Sequence, residues 1–599
     1  MFRPRALASS RIMTALRETS IVRALRVATE LGGRTLITKV GALTALKGSA
    51  GLLDIAGIVL LAQFSATVLS AASSTPNSNP LGYSVPGTEG WRPLFLLAGA
   101  LVLMSLRSAI SFFAGFWLNS ILQKANTQVI STRASLELCR PLDGLDRFSS
   151  QETHHALTGM TRASVSGFLL PLSTVISEGV LGLLLIATLF VASPAATVLS
   201  IIFLALVSLG LYRFIAHRQL LLGQRTGSAT VRSIATFQEL HSGHRELRVS
   251  GRLAAEISRF TSVEGELSDN LVAQNKNSTI PRHVLETAVL LCLGIVATIS
   301  SAGSDDIESL VVVTVFAAAL ARLLPSVIPM QAALSELQHV LGTASSIDYP
   351  FVKLRPGLES HSGHSGSPHD QDPRASGSAF AITASSLSYR YPGAEESALE
   401  SIDFNLSGSG WYAIDGPSGS GKSTLLDLML GLRLPTEGQV TINGLVAHEF
   451  IDANPGSVSY LPQSPMVMNR SLWENVAFGY TIDDVDRNRV TRCLQQVGLE
   501  SLVRRADANG ETLGERGGRL SGGQLQRLGI ARCLYQEPNV LVLDESTSGL
   551  DESARDGIIS LLHSLVASGL TVVTVAHDRT LAAQATRVIR LANGKQVNS

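Results

Sequence analysis

The sequence predicts a membrane bundle of six α-helices followed by a P-loop α/β domain. Three observations carry this reading. Six apolar stretches of about 20 residues, the length a bilayer core demands, fall in the N-terminal part of the chain. Further on, Gly416-x4-Gly421-Lys422-Ser423 sits between a short apolar run and an apolar-striped helix. Beyond that, the apolar run Val540 to Leu543 ends in two acids, Asp544 and Glu545.

The six apolar stretches are roughly 51–73, 93–118, 167–192, 194–213, 283–302 and 308–333. The fourth holds a charge-free run, whereas Glu286 and Arg322 interrupt the fifth and sixth. The stretches 74–91, 192–194 and 303–308 between them contain no Lys or Arg. The stretches 1–48, 119–166 and 214–282 are rich in both. That asymmetry predicts a multi-pass inner-membrane protein with both termini in the cytoplasm. The two long basic excursions read as helices continuing inward, with tips expected near 141–150 and 223–236. Residues 1–48 carry nine Lys/Arg without a compact apolar core. They read as an amphipathic lead-in on the membrane surface rather than a cleaved signal. The domain boundaries expected are therefore 1–48 for the lead-in, 49–350 for the membrane domain, 351–378 for a linker and 379–599 for the nucleotide-binding domain.

Composition excludes some partners. Lys+Arg and Asp+Glu both number 48, so the net charge of zero gives no footprint for nucleic acid. The four cysteines, Cys139, Cys292, Cys493 and Cys533, form no metal-binding or disulfide pattern. Ser, Gly, Pro and His dominate 355–378, a composition that cannot bury a core and reads as a flexible linker. Its histidines, His361, His364 and His369, have nothing rigid to hold them on a metal.

In the P-loop, glycines let successive backbone N–H groups face phosphates, and the following helix adds its positive end. Gly416, Pro417, Ser418, Gly419, Ser420, Gly421, Lys422, Ser423 and Thr424 are the expected cradle for ATP. Lys422 should reach the β- and γ-phosphates, and the Ser423 hydroxyl should ligate Mg2+. Asp544 fits the magnesium shell, and Glu545 fits the base for the attacking water.

Leu520-Ser521-Gly522-Gly523-Gln524 separates the classes of P-loop protein. This signature resembles that of ABC ATPases, and the resemblance runs from about 379 to the C-terminus. It implies roles for further residues. Tyr391, in YRYPG, matches the aromatic that stacks on adenine. Gln463, in YLPQSP, matches the glutamine that joins magnesium to the membrane domain. Glu515-Arg516-Gly517 precedes the signature as in exporters. Asp551, in SGLD, matches the loop that crosses the dimer interface, although Gly549 stands where alanine is common. His577, in VTVAHD, matches the γ-phosphate histidine. In this family the signature residues Ser521, Gly522, Gly523 and Gln524 cover ATP held by the partner's P-loop. One chain has one of each, so the resemblance implies a pair of half-transporters: a homodimer, with a heterodimer as the alternative.

Six helices before such a domain resemble the type IV exporter arrangement. SGHRELRVSGR (242–252) with Phe260, and IPRHVLETAVLL (280–291), resemble the lipid-linked oligosaccharide flippases and polysaccharide exporters. This implies ATP-driven export or flipping of a lipid-linked oligosaccharide or glycolipid. The alternatives are a multidrug or peptide exporter and, in another class, an ATP-gated channel or regulatory subunit. Asp54, Arg107, Glu178, Glu286 and Arg322 lie within the predicted spans, where charge is costly and something must compensate it. Arg107 and Arg322, with Glu178, are candidates for a cavity that holds a substrate phosphate. The other reading pairs the arginines with Glu178 or Glu286.

Overall fold

The computed structural model describes residue 33 and residues 35–73, 91–192, 194–301, 307–350, 380–509, 512–514, 517–545, 552–576 and 579–597. The chain forms two units. Residues 1–139 and 148–360 make the first, and residues 140–147 join 361–599 in the second.

The first unit is helical. Its elements are α1 (35–49), α2 (Gly51–Ser73) and α3 (Arg92–Leu138). After α4 (Leu142–Leu145), which belongs to the second unit, come α5 (Ser150–His155), two π-helical turns, and α6 (Phe168–Ala192). Then follow α7 (Pro194–Ser242), α8 (His244–Val249), α9 (Leu253–Ser301) and α10 (Ile307–Ala344). At 1.5 Å per residue the 47 residues of α3 span about 70 Å, more than twice a hydrocarbon core. The helices thus cross a bilayer and continue well beyond it. Phe112, Phe113, Phe116 and Trp117 on α3 are all more than half exposed, an arrangement stable in lipid and costly in water. Among the described residues, four helices are long and apolar enough to span: 35–61, 92–138, 150–188 and 201–242. The first of these begins sixteen residues before the predicted stretch, within what reads from sequence as a surface lead-in. The fifth and sixth predicted stretches lie on α9 and α10.

Among the described residues, two of the bundle's apolar clusters join its long helices. Leu36 and Val40 of α1 meet Leu118, Leu122 and Val129 of α3, Phe168 of α6 and Leu341 of α10. Ile58, Leu181, Leu185 and Val289 form the other. Helices α7 and α10 come into backbone contact. A Cβ on Gly223 would lie 2.0 Å from the His339 carbonyl oxygen, and one on Gly342 would lie 2.1 Å from that of Leu220.

The second expected tip is corrected by this arrangement. Residues 223–236 lie inside α7, which is continuous to Ser242. The chain turns at 243–252, where α8 is bracketed by Gly243 and by Gly251 at φ +67°. The turn is therefore the stretch that resembles the flippase branch. Phe260 packs against Phe237 across it, ring centres 5.9 Å apart.

The second unit holds two sheets. The antiparallel one has order β2-β1-β4-β5, from β1 (Ala381–Tyr389), β2 (Leu399–Ser407), β4 (Glu437–Ile442) and β5 (Leu445–Val446). The other has order β10-β9-β3-β8-β7-β6. It comprises β3 (Trp411–Asp415), β6 (Val458–Leu461), β7 (Val540–Asp544), β8 (Thr571–Ala576), β9 (Arg587–Ala592) and β10 (Lys595–Val597). Both faces of this sheet are covered, which explains the unbroken apolar run of β7. Val540 and Val542 enter the core beneath α11 (Lys422–Met429) and α12 (Ala447–Ala453). Leu541 and Leu543 enter the core formed with α13 (Leu472–Val476), α14 (Arg487–Gln496), α15 (Glu500–Asn509) and α16 (Gly522–Tyr535). The last helices are α17 (Glu552–Ala567) and α18 (Arg579–Gln584).

Candidate active site

The parallel sheet brings the separate motifs together. Asp415, at the end of β3, registers with Ala576 on β8, and Asp544, at the end of β7, registers with Val575. Leu461 on β6 registers with Leu543 on β7. The P-loop, Asp544-Glu545 and the segment leading to Gln463 therefore emerge at the same edge of the sheet. Ligands of open parallel sheets bind at that carboxyl edge.

In the P-loop, Gly419 (φ +78°) and Gly421 (φ +96°) take left-handed conformations. A Cβ on Gly421 would strike the Ala398 carbonyl oxygen at 2.8 Å, so only glycine fits there. Lys422 Nζ donates to the carbonyls of Gly416 at 2.8 Å and Pro417 at 3.0 Å, folding its charge over the loop. Ser420 Oγ is buried without a hydrogen-bond partner, a group left for a ligand. Ser423 is exposed one position beyond Lys422. The hydroxyls of Tyr391 and Thr424 hydrogen-bond at 2.9 Å, and Tyr391 is 39% exposed.

Gln463 Nε2 donates to Glu545 Oε2 at 2.7 Å. Glu545 takes φ +46°, costly for a residue with a Cβ, and its N–H donates to the Val575 carbonyl at 3.2 Å. Sequence reasoning gave these residues separate jobs, and the structure makes them one hydrogen-bonded pair. Because the amide nitrogen of Gln463 is committed to Glu545, its carbonyl oxygen is the atom left for a metal. Ser423, Gln463 and Asp544 thus offer an all-oxygen set that fits Mg2+. Burial and the neighbouring Glu545 push the Asp544 carboxyl above its ordinary pKa. A nearby cation would reverse that effect.

Tyr460 is a site residue that the sequence reading did not single out. It lies three positions before Gln463, and its hydroxyl donates to Asp544 Oδ2 at 3.4 Å. Burial and Asp544 both raise its pKa, so it remains a donor. The pairing of β6 with β7 brings these residues together across 84 positions of sequence.

Ser521 caps α16. Its side chain accepts from the Gln524 N–H, and its own N–H donates to Gln524 Oε1 at 3.0 Å. This capping box leaves the Gly522 and Gly523 N–H groups at the first turn, aimed outward along the helix axis. Gln526 Nε2 donates to the main-chain carbonyl of Gln463 at 2.8 Å, joining the signature helix to the glutamine loop. Asp551, His577, Glu515 and Arg516 lie outside the described residues.

The intramembrane charges are placed differently from the cavity reading. Arg107 Nε lies 3.0 Å from Asp54 Oδ2, and its Nη2 lies 4.0 Å from Glu178 Oε2. Lys47 Nζ approaches Glu178 at 3.9 Å. Arg107 therefore has protein carboxylates on α2 and α6 as partners, and the Asp54 side chain is 0% exposed. Glu286 bonds along its own helix, accepting from Arg282 Nε at 2.9 Å. The Arg322 side chain lies outside the described residues.

The family model for the ABC transporter domain matches residues 399–548, which contain the P-loop, Gln463, the signature and Asp544-Glu545. An ATP-dependent lipid A-core flippase of Burkholderia orbicola is 28% identical over 362 residues, 60% of this chain and 59% of that protein. An energy-coupling factor transporter ATP-binding protein, EcfA1, of Lacticaseibacillus paracasei is 37% identical over 223 residues, 36% of this chain and 76% of that protein. The structure of a bacterial Atm1-family ABC exporter with ATP bound is similar over 94% of both chains, at TM-score 0.72 and 18% identity. A nucleotide-binding domain of this type, joined to apolar helices long enough to span a bilayer, makes an integral membrane protein. The chain belongs to the ABC transporter family and has the fold of its half-transporter exporters.

Proposed function

We propose that two copies of this chain form an ATP-driven flippase or exporter for an amphiphile with a lipid tail and a sugar or anionic head, in a bacterial-type inner membrane with both termini cytoplasmic. The observation that carries the ATP reading is the meeting of Lys422, Asp544, Gln463 and Glu545 at one sheet edge. Lys422 swings from the loop carbonyls to the β- and γ-phosphates when ATP enters. Ser423, Gln463 and Asp544 would hold magnesium, which would supply positive charge opposite the phosphoryl oxygens. Glu545 orients the attacking water and accepts its proton. His577 contacts the γ-phosphate.

The position of the signature supports pairing. Helix α16 packs on β6, three strands from β3, or about 14 Å at sheet spacing. Among the described hydrogen bonds, those of the Ser521 side chain and N–H stay within its own capping box. The amides of exposed Gly522 and half-buried Gly523 suit the phosphates of a second chain's nucleotide, and a homodimer needs no other component. The lipid A-core flippase of Burkholderia orbicola, and the stretches 242–252 and 280–291, support a glycolipid as cargo. Arg107 acts as a structural ion pair in this reading, and Arg322 is the remaining candidate for a substrate phosphate. Mass spectrometry of lipids co-purifying with the protein tests the reading. A glycolipid or lipid-linked glycan that stimulates ATP hydrolysis on re-addition supports it. Stimulation by lipid-free peptides or drugs, with none from glycolipids, would replace it with the drug or peptide exporter.

A further inference from the structure

Arg433 belongs to no recognised motif, yet it is among the most heavily bonded side chains of the second unit. It is 7% exposed and lies just after Gly431, whose φ of +65° and close approach to His448 admit only glycine. Its guanidinium meets three carboxylates. Nε donates to Asp427 Oδ2 at 2.9 Å, Nη2 to Asp146 Oδ2 at 2.6 Å, and Nη1 to Asp143. Beside it, the Leu142 N–H donates to the Leu432 carbonyl at 2.9 Å, and Tyr389 donates to Asp143. Burial pulls the arginine's pKa down, but its bonds to Asp146, Asp427 and Asp143 outweigh burial and raise it. The group is permanently charged.

The same guanidinium carbon lies 5.0 Å from the centre of the Tyr391 ring. Tyr391 in turn bonds Thr424, and Asp427 lies on the same helix, α11, that Lys422 begins. One rigid cation thus touches the short segment around α4, the P-loop helix and the exposed aromatic ring. A lysine could not serve, because its ammonium lacks the planar fork that reaches separate acceptors in fixed directions.

We propose that Arg433 is a positioning residue that couples base occupancy at Tyr391 to the grip of the nucleotide-binding unit on Asp143 and Asp146. The inference rests on the ATP site proposed above and on Tyr391 being its platform for the base, as the resemblance to ABC ATPases implies, and names how that platform is read out. A base stacking on the exposed part of the Tyr391 ring, whose rest meets Tyr389 and Arg433, fixes the ring. The ring fixes the guanidinium against its other side, and the guanidinium holds its outer carboxylates. By reciprocity, losing those carboxylates must weaken binding of the base.

The test is a mutant cycle on ATP binding, measured by calorimetry on full-length protein that also carries Glu545→Gln to prevent turnover. Asp143→Asn with Asp146→Asn should weaken ATP about three- to five-fold, the scale of a coupling between neighbouring residues. Inorganic tripolyphosphate, which has no base, should bind unchanged. In a Tyr391→Ala background the same pair of changes should no longer alter ATP affinity. Arg433→Lys, which keeps the charge and loses the fork, should weaken ATP as the aspartate changes do and make those changes silent. Equal weakening of ATP in both Tyr391 backgrounds would overturn the coupling, as would equal weakening of tripolyphosphate. If Tyr391→Ala alone left ATP affinity intact, the platform itself would fall. That outcome is distinct from one in which Tyr391 matters but the cycle is additive.

Discussion

Arg107→Gln should destabilise the membrane unit, and the structure sets the scale. Arg107 reaches Asp54 at 3.0 Å, and the Asp54 side chain has no exposed surface. Glu178, 4.0 Å away, is 10% exposed. Removing one partner of a buried ion pair costs about 3–5 kcal/mol, because the other charge stays buried without it. Removing both partners is often neutral, since the cost of dehydrating two ions disappears as well. Arg107→Gln should therefore lower the melting temperature and the yield of monodisperse protein in detergent, and adding Asp54→Asn should restore most of the loss. The assay is thermal unfolding followed by size-exclusion chromatography, run beside ATP hydrolysis in nanodiscs with and without added glycolipid. If Arg107→Gln melts like the parent and lipid stimulation alone collapses, the arginine serves the cargo rather than the fold. If Asp54→Asn fails to rescue, Asp54 is not the partner that matters.

Other outcomes follow from the same geometry. Glu545→Gln should keep ATP binding and abolish turnover, leaving the dimer closed around nucleotide; near-normal hydrolysis would remove Glu545 from the mechanism. Ser521→Arg should block hydrolysis although it lies in no P-loop, because a bulky cation displaces the capping box and the phosphate-facing amides. A mixed dimer of Ser521→Arg and Lys422→Ala chains should concentrate both defects in one site and retain one intact site; loss of nucleotide closure at both sites would contradict the shared arrangement. Gly342→Leu should prevent the close crossing of α7 and α10, where even a Cβ would lie 2.1 Å from a carbonyl oxygen, and should cost at least the 1–3 kcal/mol typical of overpacking. A variant with unchanged melting would show that the crossing has room to spare.

The parts of the site that were legible in the sequence are contiguous. The P-loop, Asp544-Glu545 and the signature each sit within a few residues, where glycine conformation and helix capping are local matters. The bond between Gln463 and Glu545 was not legible, because it depends on β6 pairing with β7 across 82 positions. Tyr460 reaches Asp544 by the same pairing and carries no spacing signal of its own. Arg433 was invisible for a related reason: its acceptors Asp143 and Asp146 are 290 and 287 positions away, and single charges have no periodicity. The first inner excursion nevertheless gave a usable hint, since the expected region 141–150 contains both aspartates. The second was misplaced because helical patterning continues through 223–236, and only the glycines at 243 and 251 mark the turn. Among the intramembrane charges, the need for compensation was readable from cost alone. Of the two partners expected, Glu178 lies beside Arg107 and Glu286 does not, while the shorter contact, to Asp54, depends on how α2 packs against α3.

The central claim is that ATP hydrolysis at this site drives an amphiphile across a bilayer. Its most direct test is translocation itself. Purified protein is placed in phosphatidylethanolamine–phosphatidylglycerol liposomes carrying fluorescent lipid A in both leaflets, and a membrane-impermeant quencher reads the leaflet distribution. With magnesium and ATP outside, where only outward-facing nucleotide domains turn over, the account predicts progressive movement of the label from the outer to the inner leaflet. It also predicts that Glu545→Gln protein, loaded identically, moves none. Redistribution at the same rate in the Glu545→Gln liposomes, or none in the parent while ATP is consumed and stimulated by lipid A, would contradict it.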